Sequence, residues 1–128
     1  MMRLTRQAEI AIDILVACAR PRPNEPRTTR IVAGIADTTK DHAAQVVAKL
    51  SRHGYLECTR GRAGGIRLAR SADSIVVGEV LRLMEPSLAL DMGDGPARAA
   101  LDTVLRAAVG SFVSIFASVT LAGLTGDV

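Results

Sequence analysis

Two sets of side chains stand out for the chemistry they could do. The first is the run Thr59-Arg60-Gly61-Arg62-Ala63-Gly64-Gly65, in which two guanidinium groups ride on a glycine-rich turn. The second is Thr39, Lys40, Asp41, His42, Gln45, Lys49 and Arg52, spread over four turns of a helical pattern. These groups form and break no covalent bonds. A guanidinium or ammonium neutralises phosphate. A glutamine amide can pair with two atoms of an adenine edge. Both sets therefore suit recognition of duplex DNA: Gln45 for base readout with His42 and Asp41 beside it, and Lys40, Lys49, Arg52, Arg60 and Arg62 for the backbone, with Arg3 near the chain start as a further basic contact.

The sequence suggests no nucleophile–base pair, no carboxylate cluster in an inferred pocket and no phosphate loop, so it does not read as an enzyme. Gly61–Gly65 is followed by a strand pattern, whereas a nucleotide loop opens a helix. His42 and His53 lie eleven residues apart, about 16 Å along one helix, too far to share a metal. Cys18 and Cys58 make no disulfide framework. The alternation of its strand puts Cys58 on the inward face, as a small core residue, and Cys18 is assigned to packing as well. No cofactor or metal site is expected.

Charge supports the recognition reading. The chain carries +3 overall, but residues 1–70 hold 13 Lys/Arg against 6 Asp/Glu, and residues 71–128 hold 3 against 7. A basic half joined to an acidic half points the first at a polyanion. The three aromatic residues, Tyr55, Phe112 and Phe116, are too few for a platform that stacks single-stranded bases.

These residues need elements to place them. Leu4–Ala19 reads as a first helix capped by Thr5, with two apolar stripes, one for its own domain and the other open to a partner subunit. Prolines 21, 23 and 26 enforce a loop. A second helix is expected over Thr29–Asp37, with Ile31, Val32, Ile35 and Ala36 inward. A third follows over Lys40–His53, capped by Thr39, closed at Gly54 and packed through Ala43, Val46, Val47 and Leu50. Leu56–Arg60 and Ile66–Arg70 alternate as two strands, with Gly61, Gly64 and Gly65 supplying positive backbone angles between them. Helix, helix, turn, helix and hairpin in that order make a winged helix-turn-helix, whose third helix enters the major groove while the wing meets the backbone or minor groove.

Beyond this, Val77–Glu85 reads as a short helix and Ala97–Ser118 as a long one. Leu101, Val104, Leu105, Ala108, Phe112, Ile115 and Phe116 recur along it at helical spacing. Arg106 and several small polar residues argue for an interface helix rather than a membrane span. Thr120–Val128 is expected to be a short turn and then frayed. The chain is thus mainly α with a small β-hairpin: residues 1–86 a winged helix-turn-helix domain, and 87–128 a loop and dimerisation helix. The stretch Ile10–Ala19 is short and broken by Asp13, so no secretory signal is read and a reducing cytoplasm is expected.

Met2-Arg3-Leu4-Thr5-Arg6, Val47-Ala-Lys-Leu50, Gly54-Tyr55-Leu56 and above all Thr59–Ala69 resemble the Rrf family of bacterial winged-helix transcription regulators, as do Ile75–Val80 and Thr120-Leu121-Ala122. The resemblance implies a homodimer joined through the long last helix, and palindromic operators. It also marks a departure. Many members hold an iron–sulfur cluster through three cysteines in the loop before that helix, and here Ser87–Pro96 has none. Glu9 stands where some members supply a non-cysteine ligand, which alone makes no site. The expected function is operator occupancy and repression. The alternatives are an adaptor that has lost DNA binding, and a regulator that responds to oxidation of Cys58.

Overall fold

The computed structural model describes residues 4–21, 25–61, 64–84 and 96–126. Six helices, one 3-10 turn and one hairpin follow in the order α1 Arg6–Ala19, α2 Thr29–Ile35, α3 Lys40–Arg52, β1 Leu56–Thr59, β2 Gly65–Leu68, the turn Ala72–Ser74, α4 Val77–Met84, α5 Pro96–Phe116 and α6 Leu121–Thr125. Three threonines start the first three helices as expected from their short side chains. Thr5, Thr28 and Thr39 each accept a backbone N–H of the first turn, satisfying a donor the helix cannot. Gly54, at φ 81, turns the chain out of α3.

The core is aliphatic and is organised around α1. Ala8, Ile10, Ala11, Ile14 and Leu15 are fully buried, so both apolar stripes of α1 are covered within the one chain. This corrects the expectation that one stripe waits for a partner. Helices α2 and α3 pack on α1, and α4, α6 and β2 pack on it as well. A second correction concerns Ile35, expected inward and 48 % exposed. Helix α2 stops there, while Val32 and Ala36 of the same expected set are buried.

β1 and β2 are antiparallel, with Leu56 opposite Leu68, Glu57 opposite Arg67, Cys58 opposite Ile66 and Thr59 opposite Gly65. Leu56 and Ile66 reach the core. Cys58 shares their face yet is exposed, against the expectation of a packed residue. Ile66 opposite it is buried because β2 packs on α1, whereas β1, which contacts α3, is exposed from Glu57 onward. Of the three wing glycines expected to supply positive φ, only Gly61 does, at 105°. Gly64 serves close approach instead: a Cβ there would lie 2.4 Å from the Thr59 carbonyl oxygen. Gly65 is likewise tight against the Arg27 carbonyl at 3.2 Å.

The C-terminal segment also departs from expectation. Thr120 caps α6, in which Leu121 and Thr125 are buried. The Val77 N–H donates to the Val119 carbonyl and the Leu121 N–H to the Ile75 carbonyl, both at 2.9 Å. An Arg20 guanidinium N–H donates to the Thr125 carbonyl. Residues 120–126 are therefore docked on the N-terminal body, not frayed. Helix α5 contributes no fully buried residue and contacts α4. Glu85 and most of the loop Ser87–Pro96 lie outside the described residues.

Candidate nucleic-acid interface

Helix α3 buries Ala43, Val46, Val47 and Leu50 against the body, which forces the opposite face outward. Lys40, Asp41, Gln45 and Arg52 are exposed on it, and Lys49 and His42 are half-exposed. The Thr39 hydroxyl accepts the His42 N–H at 3.1 Å, so it caps α3, and the Thr38 hydroxyl lies 3.3 Å from His42 Nδ1. His42 is thereby held at the N-terminal end of the helix, where base contacts are made. Two residues missing from the candidates chosen by polarity share this face: Ala44 and Ala48 are exposed between Asp41 and Arg52. Helical phase was the signal that could have found them, since 41, 44, 45, 48 and 52 recur three and four apart.

The wing is tied to α3 by short links. The Tyr55 N–H donates to the Leu50 carbonyl at 2.9 Å, and the Ser51 hydroxyl donates to the Leu56 carbonyl at 3.0 Å. On the other edge the Ile66 N–H donates to the Arg27 carbonyl at 2.7 Å, anchoring β2 to the segment before α2. The Gly64 N–H donates to the Gly61 carbonyl at 2.9 Å, closing the tip. Arg60 is exposed beside that tip, while Arg62 and Arg3 lie outside the described residues.

Charge pairing divides the basic residues into two groups. Arg67 pairs with Glu57 across the hairpin at 3.5 Å, and Arg70 pairs with Glu79 at 3.7 Å while lying over the Tyr55 ring at 4.6 Å. Lys40, Lys49, Arg52 and Arg60 have no carboxylate partner among the described residues. These four are the cations that one helix face and the adjoining wing leave open to an external anion. Burial pushes the Cys18 thiol up to about 11, with Arg27 opposing, so it stays protonated and its Sγ donates to the Ile66 carbonyl at 3.9 Å. Burial likewise raises the Asp13 carboxyl above its ordinary value, with Arg6 opposing and Glu9 adding to the rise.

The residues expected at a dimer interface fall into two groups along α5. Leu101, Val104 and Ile115 are 49 %, 64 % and 68 % exposed, and Ala108 is exposed with them. Leu105, Phe112 and Phe116 are half-buried, with the two phenylalanine rings 5.0 Å apart and Phe116 packed against the core. Among the described residues α5 is the one helix long and apolar enough to cross a membrane, and it carries an Asp102–Arg106 ion pair at 2.6 Å.

Comparison with known proteins places the chain. A family model described as "Rrf2: Iron-dependent Transcriptional regulator" matches residues 4–127. The HTH-type transcriptional regulator NsrR of Bacillus subtilis (strain 168) is 36 % identical over 84 residues, which is 66 % of this chain and 58 % of that protein. NsrR of Geobacillus kaustophilus (strain HTA426) is 35 % identical over 89 residues, 70 % of this chain and 60 % of that protein. The matched region thus spans about three fifths of the length of these relatives. Among solved structures, T. potens IscR superposes with a TM-score of 0.79 at 22 % identity, covering 98 % of this chain and 88 % of that one. The oxidized form of Staphylococcus aureus CymR superposes at 0.74 and 22 % identity, covering 99 % and 98 %. These last two likenesses establish a shared fold.

The family description implies iron, and the donor set does not fit it. The sequence has two thiols, one buried on α1 and one exposed on the wing, and no group of three His, Cys, Asp or Glu among the described residues could hold a metal. An iron–sulfur cluster needs several thiolate or imidazole ligands converging on one place. With the family model matching residues 4–127 and the winged-helix architecture in place, the chain belongs to the Rrf2 family of transcriptional regulators.

Proposed function

We propose that this chain is a cytoplasmic, sequence-specific regulator that binds duplex DNA as a homodimer and represses transcription by occupying a palindromic operator. The observation that carries the reading is the set of cations Lys40, Lys49, Arg52 and Arg60, which have no carboxylate partner among the described residues and are presented by one helix face and the wing beside it. The major groove admits an α-helix, and cations flanking that helix reach the phosphates on either side. Gln45, with His42 and Asp41, reads base edges. Arg62 and Arg3 add to the backbone contacts. Residues 1–86 carry DNA binding and 87–128 carry dimerisation, with α6 returning to seal α1. The exposed Leu101, Val104, Ala108 and Ile115 of α5 give a second copy an apolar stripe to cover. A two-fold dimer presents two recognition helices to two half-sites, which is why the operator should be palindromic.

The test is binding of the purified protein to its own upstream DNA and to a scrambled duplex at two salt concentrations, with the Arg60→Ala/Arg62→Ala variant alongside. Preference for the upstream sequence, with weakening by salt and in the variant, is the expected result. No preference and no variant effect would leave the adaptor reading, and a protein partner would then be sought. One observation favours a further layer of control. Cys58 is exposed on the wing strand, 4.0 Å from the Ser51 hydroxyl, so its oxidation would alter the wing where it meets α3.

A further inference from the structure

Arg6 opens α1, but its guanidinium leaves that helix and reaches the turn of the helix-turn-helix. Its Nη2 donates to the Ala36 carbonyl at 2.5 Å and to the Asp37 carbonyl at 2.7 Å, while Nη1 pairs with Glu9 at 3.3 Å. The two carbonyls lie at the C-terminal end of α2, where carbonyls lack intrahelical partners and the helix dipole is negative. The turn they belong to is strained. Asp37 sits at φ 53, a left-handed conformation that a non-glycine residue holds only when its surroundings impose it. Backbone bonds close part of the turn, from the Thr38 N–H to the Ala33 carbonyl at 2.9 Å and from the Asp37 N–H to the Gly34 carbonyl at 3.3 Å. Arg6 supplies the side-chain clamp on its outer edge. The chain then runs directly through Thr38 and the cap Thr39 into α3. What fixes this turn therefore fixes the angle at which α3 is presented.

We propose that Arg6 is a positioning residue for the recognition helix rather than a phosphate contact. This rests on the DNA-binding reading above. The side chain is 46 % exposed, so the two roles compete and must be told apart. A phosphate contact contributes to affinity for every sequence and to the salt dependence, about 0.9 in the logarithmic slope. A clamp on the turn changes how well α3 fits its preferred bases and leaves the count of neutralised phosphates alone.

The experiment uses a duplex selected from a random pool by the wild-type protein, and a random duplex as reference. Arg6→Gln, Arg6→Lys and Arg60→Ala are titrated against both over a salt series, with thermal unfolding run alongside. For Arg6→Gln we expect affinity for the selected duplex to fall by about tenfold, the scale of one or two lost hydrogen bonds. Random-duplex affinity and salt slope should stay at wild-type values, while Arg60→Ala lowers the slope. Arg6→Lys keeps the charge but not the planar fork that spans two carbonyls. It should lose part of the discrimination and serves as the deciding variant if Arg6→Gln unfolds. A drop in slope for Arg6→Gln, or wild-type discrimination in a folded Arg6→Gln or Arg6→Lys, would overturn the proposal. Lack of any preference by the wild-type protein would instead overturn the DNA-binding reading itself.

Discussion

Gly64→Ala tests whether the shape of the wing, and not only its charge, matters for binding. A Cβ on Gly64 would lie 2.4 Å from the Thr59 carbonyl oxygen, 2.7 Å from the Arg60 carbonyl carbon and 2.9 Å from the Gly61 carbonyl oxygen. All three are backbone atoms of the same tip, so no side chain can swing away to make room. The tip must open, and the bond from the Gly64 N–H to the Gly61 carbonyl goes with it. Losing that bond costs about 1 kcal/mol, and backbone strain of this kind adds roughly 1–3 kcal/mol. The strain falls on an exposed turn, so relief by local rearrangement should spare the core around Leu56 and Ile66. Unfolding by denaturant should therefore show a loss at the low end of that sum, about 2 kcal/mol, in the range of ordinary single substitutions. DNA binding should suffer more, because Arg60 moves with the tip and Arg62, which precedes Gly64 by two residues in the sequence, is the second proposed wing contact. Two lost phosphate contacts would reduce the salt slope by about 1.8. Fluorescence anisotropy over a salt series measures this directly. A Gly64→Ala protein that binds with the wild-type affinity and slope would refute the reasoning, since it would mean either that the tip absorbs the methyl in place or that the wing does not touch DNA.

Other perturbations read other parts of the structure. Leu121→Ala should destabilise the protein by about 2–5 kcal/mol in a denaturant titration, as expected for a fully buried leucine; a loss below 1 kcal/mol would show that α6 is not part of the core. Val104→Asp with Ile115→Asp should shift the proposed dimer to monomer in sedimentation velocity, because both side chains are exposed on the α5 stripe; a wild-type monomer would refute the dimer, and a variant dimer would move the interface elsewhere. In native protein, iodoacetamide should label the exposed Cys58 and spare Cys18 until denaturant is added. Burial raises the Cys18 thiol from its ordinary 9.0 to about 11, so the folded state keeps a proton that the unfolded chain has released. Stability should be full below pH 9 and fall as pH rises from 9 toward 11. Cys18→Ala should flatten that fall, and an identical pH profile in the variant would exclude Cys18 as its source.

Much of this protein was legible along the chain because its signals are local. Thr39 as the cap of α3, Gly54 as its stop and the alternation of Leu56, Ile66 and Leu68 depend on neighbours a few residues away, and the structure bears them out. The outward exposure of Lys40, Gln45 and Arg52 followed from the burial of Ala43, Val46 and Leu50 on the same helix. Other features depended on contacts between distant segments. Sequence alone could show that α1 has two apolar stripes, but only the return of α6, over a hundred residues later, decided that the chain covers both itself. Alternation put Cys58 on the same face as Ile66, yet only Ile66 is buried, because it is β2 that packs on α1. The reach of Arg6 to carbonyls 30 and 31 residues away had no periodic signature at all. Periodicity reports which way a side chain points, and tertiary packing decides whether anything is there to meet it.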